Sequence, residues 1–147
     1  MARGPDYALA KFIASDLGLD FFQDAIDAGT DPEAADVFAG EAPVRPGTPI
    51  VVVLPSIGGR IDSVGIQEDV FLDVRTRGTD YQTTYELALD VSNALHLAQG
   101  DLGGILMRVR ANTPPVSLGR DEGAGSGHQT FSQTFTAVLK QGENTTP

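Results

Sequence analysis

Cysteine is absent from the 147 residues, which excludes disulfides, thiolate metal sites and a cysteine nucleophile. Histidine is nearly absent: with only His96 and His128, few triad or imidazole–metal chemistries remain. No apolar run approaches the roughly 18 residues of a membrane helix; the longest is Ile50–Leu54. The opening Met1-Ala2-Arg3-Gly4-Pro5-Asp6 lacks the apolar stretch of a secretory signal, so no such leader is expected. Bases are scarce as well. Ten Lys and Arg face twenty Asp and Glu, a net charge of −10 that disfavours general affinity for nucleic acid or anionic membranes.

What is present fits a single folded domain, 1–147. Apolar residues make up 41% and charged residues 20%, and a chain of this length buries roughly two thirds of its unfolded surface. The acid is unevenly spread. Residues 1–43 hold nine acids and two bases, Arg3 and Lys11, while the remainder holds eleven acids and eight bases. Such an excess reads either as a solvated, solubilising surface or as a wall that repels phosphate, such as a channel through which DNA slides.

Apolar spacing predicts an N-terminal helix over 6–17, with Pro5 near its start and Gly18 as its stop. A short second helix is expected within 19–30, with Leu19, Phe22 and Ile26 inward and Asp20, Asp24 and Asp27 outward. Pro32, Pro43, Pro46 and Pro49 make 30–49 a Pro/Ala/acid-rich loop. Strands are expected at 50–54, 68–77, 105–111 and 130–140, and 56–65 as a Gly-containing connection. Between the second and third strands lies the clearest helix. Thr79 is its expected N-cap with Gln82 in a capping box, Tyr81, Tyr85, Ala88, Val91 or Ser92, Leu95 and Ala98 form its stripe, and Gly100 closes it. Residues 112–128 read as a long Gly-rich loop and 141–147 as a frayed tail. The expected fold class is α+β: a mostly antiparallel sheet of about four strands packed by one long helix and an N-terminal helix.

Pro55-Ser56-Ile57-Gly58-Gly59-Arg60 lacks the Gly-Lys-Ser/Thr ending of a phosphate loop, and Gly123–Gly127 precedes a strand rather than a helix. Asp121, Glu122 and His128 match no zinc or EF-hand spacing and read as a solvated acidic loop. Ser56 and Ser126 lack a nearby base, and His96 reads as a capping or surface residue late in its helix. No catalytic residue, metal or cofactor is expected. An enzyme would show His96 or Glu86 turned into a pocket.

The distinctive feature is an arginine quartet. Arg75 and Arg77 alternate outward on one strand, Arg108 and Arg110 on another, and Phe71 interrupts the polar face of the first. These residues read either as ordinary strand-face decoration paired with acids such as Asp73, or as subunit-interface candidates that meet the acidic surface of a neighbour. Complementary patches on identical chains can close a ring.

The stretch 69–95, DVFLDVRTRGTDYQTTYELALDVSNAL, resembles the tail terminator (tail-completion) proteins of long-tailed bacteriophages. The likeness lies in a strand ending Val74-Arg75-Thr76-Arg77-Gly78, a helix carrying Tyr81, Tyr85, Ala88, Ala94 and Leu95, and the strand 105–111 that follows. It departs from the family over 30–49 and in the Gly-rich loop before the last strand. The resemblance implies a non-enzymatic virion protein, assembled in the host bacterial cytoplasm as a homohexameric ring. Such a ring caps the tail tube, stops its growth and joins it to the head connector. Its partners would be itself, the tail tube protein and the connector or stopper protein, with double-stranded DNA only passing through the lumen and no membrane. A head-completion or connector protein of similar fold, or a small cytosolic ligand-binding or enzymatic domain, are the alternatives.

Overall fold

Pro5 and Gly18 bound the first helix. The proline occupies its first turn, and Gly18 turns left-handed (φ 68°) with its N–H on the Ala14 carbonyl, so α1 spans Pro5–Leu17. The computed structural model describes residues 4–42, 49–61, 67–121 and 128–140. Its further elements are α2 (Phe22–Ala28), a 3-10 turn (Pro32–Ala34), β1 (Val37–Ala39), β2 (Ile50–Ile61), β3 (Gln67–Gly78), α3 (Tyr81–Leu95), β4 (Gln99–Leu102), β5 (Ile105–Ala111), β6 (Val116–Asp121) and β7 (His128–Lys140).

These strands form one seven-stranded sheet in the order β1-β2-β3-β7-β5-β4, with β6 also on β7. β1 runs parallel to β2 and every other pairing is antiparallel. β3 lies along β7 from Gln67 opposite Lys140 to Gly78 opposite Gln129. The other edge of β7 is shared. β5 covers Phe135–Leu139 and β6 covers His128–Ser132. Residues 112–115 bulge between them, held by Asn112 N–H on the Thr134 carbonyl and by Gln133 Nε2 on the Thr113 carbonyl.

Alternation puts Val51, Val53, Leu72, Val74, Met107, Val109, Phe135, Ala137 and Leu139 on one face. α1 and α3 cover that face: α1 lies on β1, β2 and β4, and α3 on β3, β5 and β7. The main core forms between, with Leu9 and Ile13 from α1 and Val91 and Leu95 from α3 fully buried. Each such side chain contributes about 1.5–3 kcal/mol on burial. A smaller cluster of Ala35, Phe38, Ile50 and Val52 lies on the opposite face of β1 and β2.

Four strands packed by one long helix is therefore not the architecture. The sheet is mixed and seven-stranded, curls into half a barrel, and carries three short helices. The missed strands have a common cause: β1 has three residues and β4 four, too few for a period-2 signal. β6 lies inside the expected 112–128 loop, and Gly119 (φ 86°) interrupts its alternation. β2 runs on to Ile61, past Pro55 and through an irregularity between Pro55 and Gly59, where a connection was expected. Of the loops expected at 30–49, 56–65 and 112–128, residues 43–48, 62–65 and 122–127 lie outside the described residues, as does the tail 141–147.

α3 starts and ends elsewhere than expected. Asp80, not Thr79, is the N-cap, accepting from Thr83 N–H (2.9 Å) and Thr83 Oγ1 (2.6 Å). The helix stops at Leu95 rather than Gly100. Leu97 adopts φ 65°, donates its N–H to Val109, and Val109 N–H returns to the Ala98 carbonyl. Pairing with β5 thus overrides helix propensity.

Hydrogen bonds from the Thr83 hydroxyl and then its backbone N–H hold the Asp80 carboxyl below its ordinary value of 3.8. A depressed carboxyl contributes fully above its unfolded pKa and loses that contribution as pH falls through the folded one. Asp80→Ala is therefore expected to lower the thermal midpoint at pH 7 by about 2–4 °C. The gap to the parent should narrow as thermal melts are taken below pH 3.8.

Two glycines separate strain from overlap. Gly18 (φ 68°) faces open space, whereas Gly103 (φ 66°), in the two-residue β4–β5 turn, would drive a Cβ into the Ala8 carbonyl of α1. In urea melts, Gly18→Ala should cost about 1 kcal/mol and Gly103→Ala about 2–4 kcal/mol. Equal costs would mean that the turn does not press on α1.

Candidate assembly surface

On the sheet face opposite α1 and α3, the one helix contact among the described residues is Phe22 of α2 against the Phe38 cluster of β1 and β2. The rows of that face follow from register. Arg77 stands beside Thr130, Arg75 beside Ser132, Asp73 beside Thr134 and Phe71 beside Thr136. Across β7, Thr136 meets Arg110 and Val138 meets Arg108. All four arginines and Phe71 therefore share one face, because directly paired residues point the same way.

They do not form one patch. Arg75 and Arg110 lie two strands and four residues apart, roughly 16 Å between Cα atoms at ordinary strand spacings. Arg75 is already occupied: its Nε donates to Asp73 Oδ2 (2.9 Å), and Ser132 Oγ donates to Asp73 Oδ1 (2.6 Å). A half-exposed pair of this kind contributes little to stability, and it is the decoration the sequence allowed as one reading. Arg77, Arg108 and Arg110 form no ion pair among the described residues. Arg108 and Arg110 are exposed, while Arg77 and Phe71 are half-buried. Thr136 between them is buried and accepts from Asn112 Nδ2 (2.8 Å).

The acid gathers at the other end of the strand order. Between Phe12 and Ala42 there are eight carboxylates and no base. Asp24, Asp27, Asp31, Glu33 and Glu41 are exposed around α2, the 3-10 turn and β1. Aromatic packing fixes this end: Phe21 bridges to Val37, and the Phe22 ring lies 6.0 Å from Phe38. Two open clefts flank α2. One of about 380 Å³ is lined by Asp20, Asp24 and Asp31 together with Leu19, Phe21 and small residues. The other, of about 440 Å³, has Phe22, Ile26 and Phe38 with Glu33 and Glu41.

Sequence reasoning placed Ile26 inward, yet it is 48% exposed beside the larger cleft. Val116 (48%) and Leu118 (55%) are exposed on β6, in the segment expected to be a loop. The signal for them was the alternation around Ser117 between Pro115 and Gly119, too short to weigh. Tyr81 and Tyr85 stack at 6.3 Å and close on Phe131, forming an aromatic group at the start of α3.

Glu86 and His96 are exposed rather than turned into a pocket. Gln82 donates to Glu86 (3.1 Å), and His96 Nδ1 accepts from Ala111 N–H (3.2 Å), closing the end of β5. No group of three metal-ligating side chains occurs among the described residues. Glu122 lies outside them, and so do the side chains of Asp121 and His128. No described helix is long and apolar enough to cross a membrane.

No family model matches this chain, and no curated protein does. Among solved structures it is similar to a chain described as "Virion of native gene transfer agent (GTA) particle". The TM-score is 0.55 and the identity 16%, over 70% of this chain and 78% of that one. At that identity the likeness is one of fold.

Proposed function

We propose that this protein is a structural component of a phage-like virion, and within it a ring-forming tail terminator. It would cap the tail tube, stop its growth and present the surface to which the head connector binds. The observation that carries this reading is the fold shared with a chain of a gene transfer agent virion, a phage-like particle. The sequence supports the finer assignment through the resemblance of 69–95 to tail terminators. That stretch forms all but the first two residues of β3, with Arg75 and Arg77, and the whole of α3.

The electrostatics agree. A net charge of −10 repels DNA, so a ring of such chains would let a duplex through without holding it. Its partners would be other copies of the chain, the tail tube protein and the connector, and the work is done by contact rather than by catalysis. Glu86 and His96 are both committed to hydrogen bonds at the surface, which gives an enzymatic reading no support.

Light scattering over a wide concentration range, with negative-stain images, tests the ring. A species of about six times 15.5 kDa with a central hole is expected. A monomer at every concentration would remove ring formation from the proposal. Arg108→Glu with Arg110→Glu should weaken assembly at least tenfold while circular dichroism and the thermal midpoint stay within error of the parent. Parental assembly by that variant would take the β5 arginines out of the interface.

A further inference from the structure

The outer edges of β4 and β6 have no strand partner among the described residues, and of the two it is β6 that carries exposed large apolar side chains. β5 has its outer edge used by β4 over Ile105–Arg108, by residues 97 and 98 at Val109, and by His96 at Ala111. β1 is bridged by Phe21, with Val37 N–H on the Asp20 carbonyl. β6 pairs with β7 alone, so its outer edge has no partner among the described residues. An open edge carrying Val116 and Leu118 is a template for another chain.

At the far end of the strand order, four strand spacings away, lies the cleft between α2 and β1. Its apolar part is Phe22, Ile26 and Phe38, and Glu33 and Glu41 stand at its margin. The two ends match in both respects that govern association. Exposed apolar side chains at one end complement an apolar cleft at the other, and the β5 arginines, Arg110 four residues beyond Val116 along β7, complement a segment with no base. Register also puts Val116 (opposite Ser132), Arg108 and Arg110 on the same sheet face as Phe38 (opposite Val52).

We infer that the cleft between α2 and β1 receives the β6 edge of a second copy of this chain. Val116 and Leu118 enter beside Phe22, Ile26 and Phe38, while Arg108 and Arg110 face the carboxylates of the 12–42 segment. The two surfaces differ and sit at opposite ends of one sheet, so the contact is head to tail. Repeated, it closes a ring or extends a filament, whereas an isologous contact would stop at two copies. The inference rests on the assembly reading above and specifies its contact.

The absence of native cysteine makes cross-linking a direct test. Ile26→Cys and Leu118→Cys change exposed side chains, and Val116→Cys supplies a second edge variant. The two singly substituted proteins are mixed, oxidised or treated with a short bis-maleimide, and read on a denaturing gel, with masses taken in parallel. A link between the Ile26→Cys and Leu118→Cys chains, at least tenfold above either variant alone, is expected, and a ladder of multimers when both cysteines share one chain. Leu118→Cys linking only to itself would mean that β6 pairs with its own copy, overturning the inference. A ring by mass with no Ile26–Leu118 or Ile26–Val116 link would overturn the inference and leave the ring reading standing. Neither ring nor link would remove both.

Discussion

Satisfying both edges of β7 is the constraint on which the remaining structure depends. A central strand of 13 residues presents backbone donors and acceptors on two sides, and burial forbids leaving them unpaired. β3 fills one side along almost its whole length. The other side is filled by two short strands in succession, β5 and then β6. The four residues between them face only Gln133 and Thr134, so the chain must bulge, and Asn112 and Thr113 carry the polar contacts of that bulge. Gln133 completes the arrangement from the buried face, donating to Ser92 Oγ of α3 (2.9 Å) as well as to the Thr113 carbonyl. Strand pairing, helix position and bulge are thus one hydrogen-bonded unit.

This arrangement leaves the sheet with two unlike faces. The inner one is closed by α1 and α3 over a continuous apolar core. Among the described residues the outer one is closed over β1 and β2 by the Phe38 cluster, and elsewhere it shows Thr, Ser, Asp and Arg together with Phe71 and Val138. Acid and base are separated along the strand order, α2 and β1 at one end and Arg108 and Arg110 at the other. Such a polarity suits the head-to-tail assembly proposed above, since complementary ends set direction and register.

The candidate site was legible only in part. Strand alternation correctly turned Arg108 and Arg110 outward, and it put Arg75, Arg77 and Phe71 on the same side. It could not say that β7 lies between the two pairs, because strand order follows from pairing between segments distant in sequence. Nor could it show that Asp73 occupies Arg75 while the β5 arginines have no ion pair among the described residues. Ile26 was placed inward, and Val116 and Leu118 within a loop, for a related reason. An apolar residue is read as buried until the structure shows which side of its element is covered.

Within the fold, the sequence by itself determined what depends on neighbours a few residues apart. α1 between Pro5 and Gly18, the inward rows of β3, β5 and β7, and the existence of α3 all follow from spacing and local backbone preference. Tertiary structure alone decided what depends on distant partners. β1 and β4 are too short to declare themselves, and β6 is a strand because β7 offers it an edge. α3 ends early because residues 97 and 98 are drawn to β5. In each of these places a non-local hydrogen bond outweighs a local propensity worth less than about 1 kcal/mol per residue.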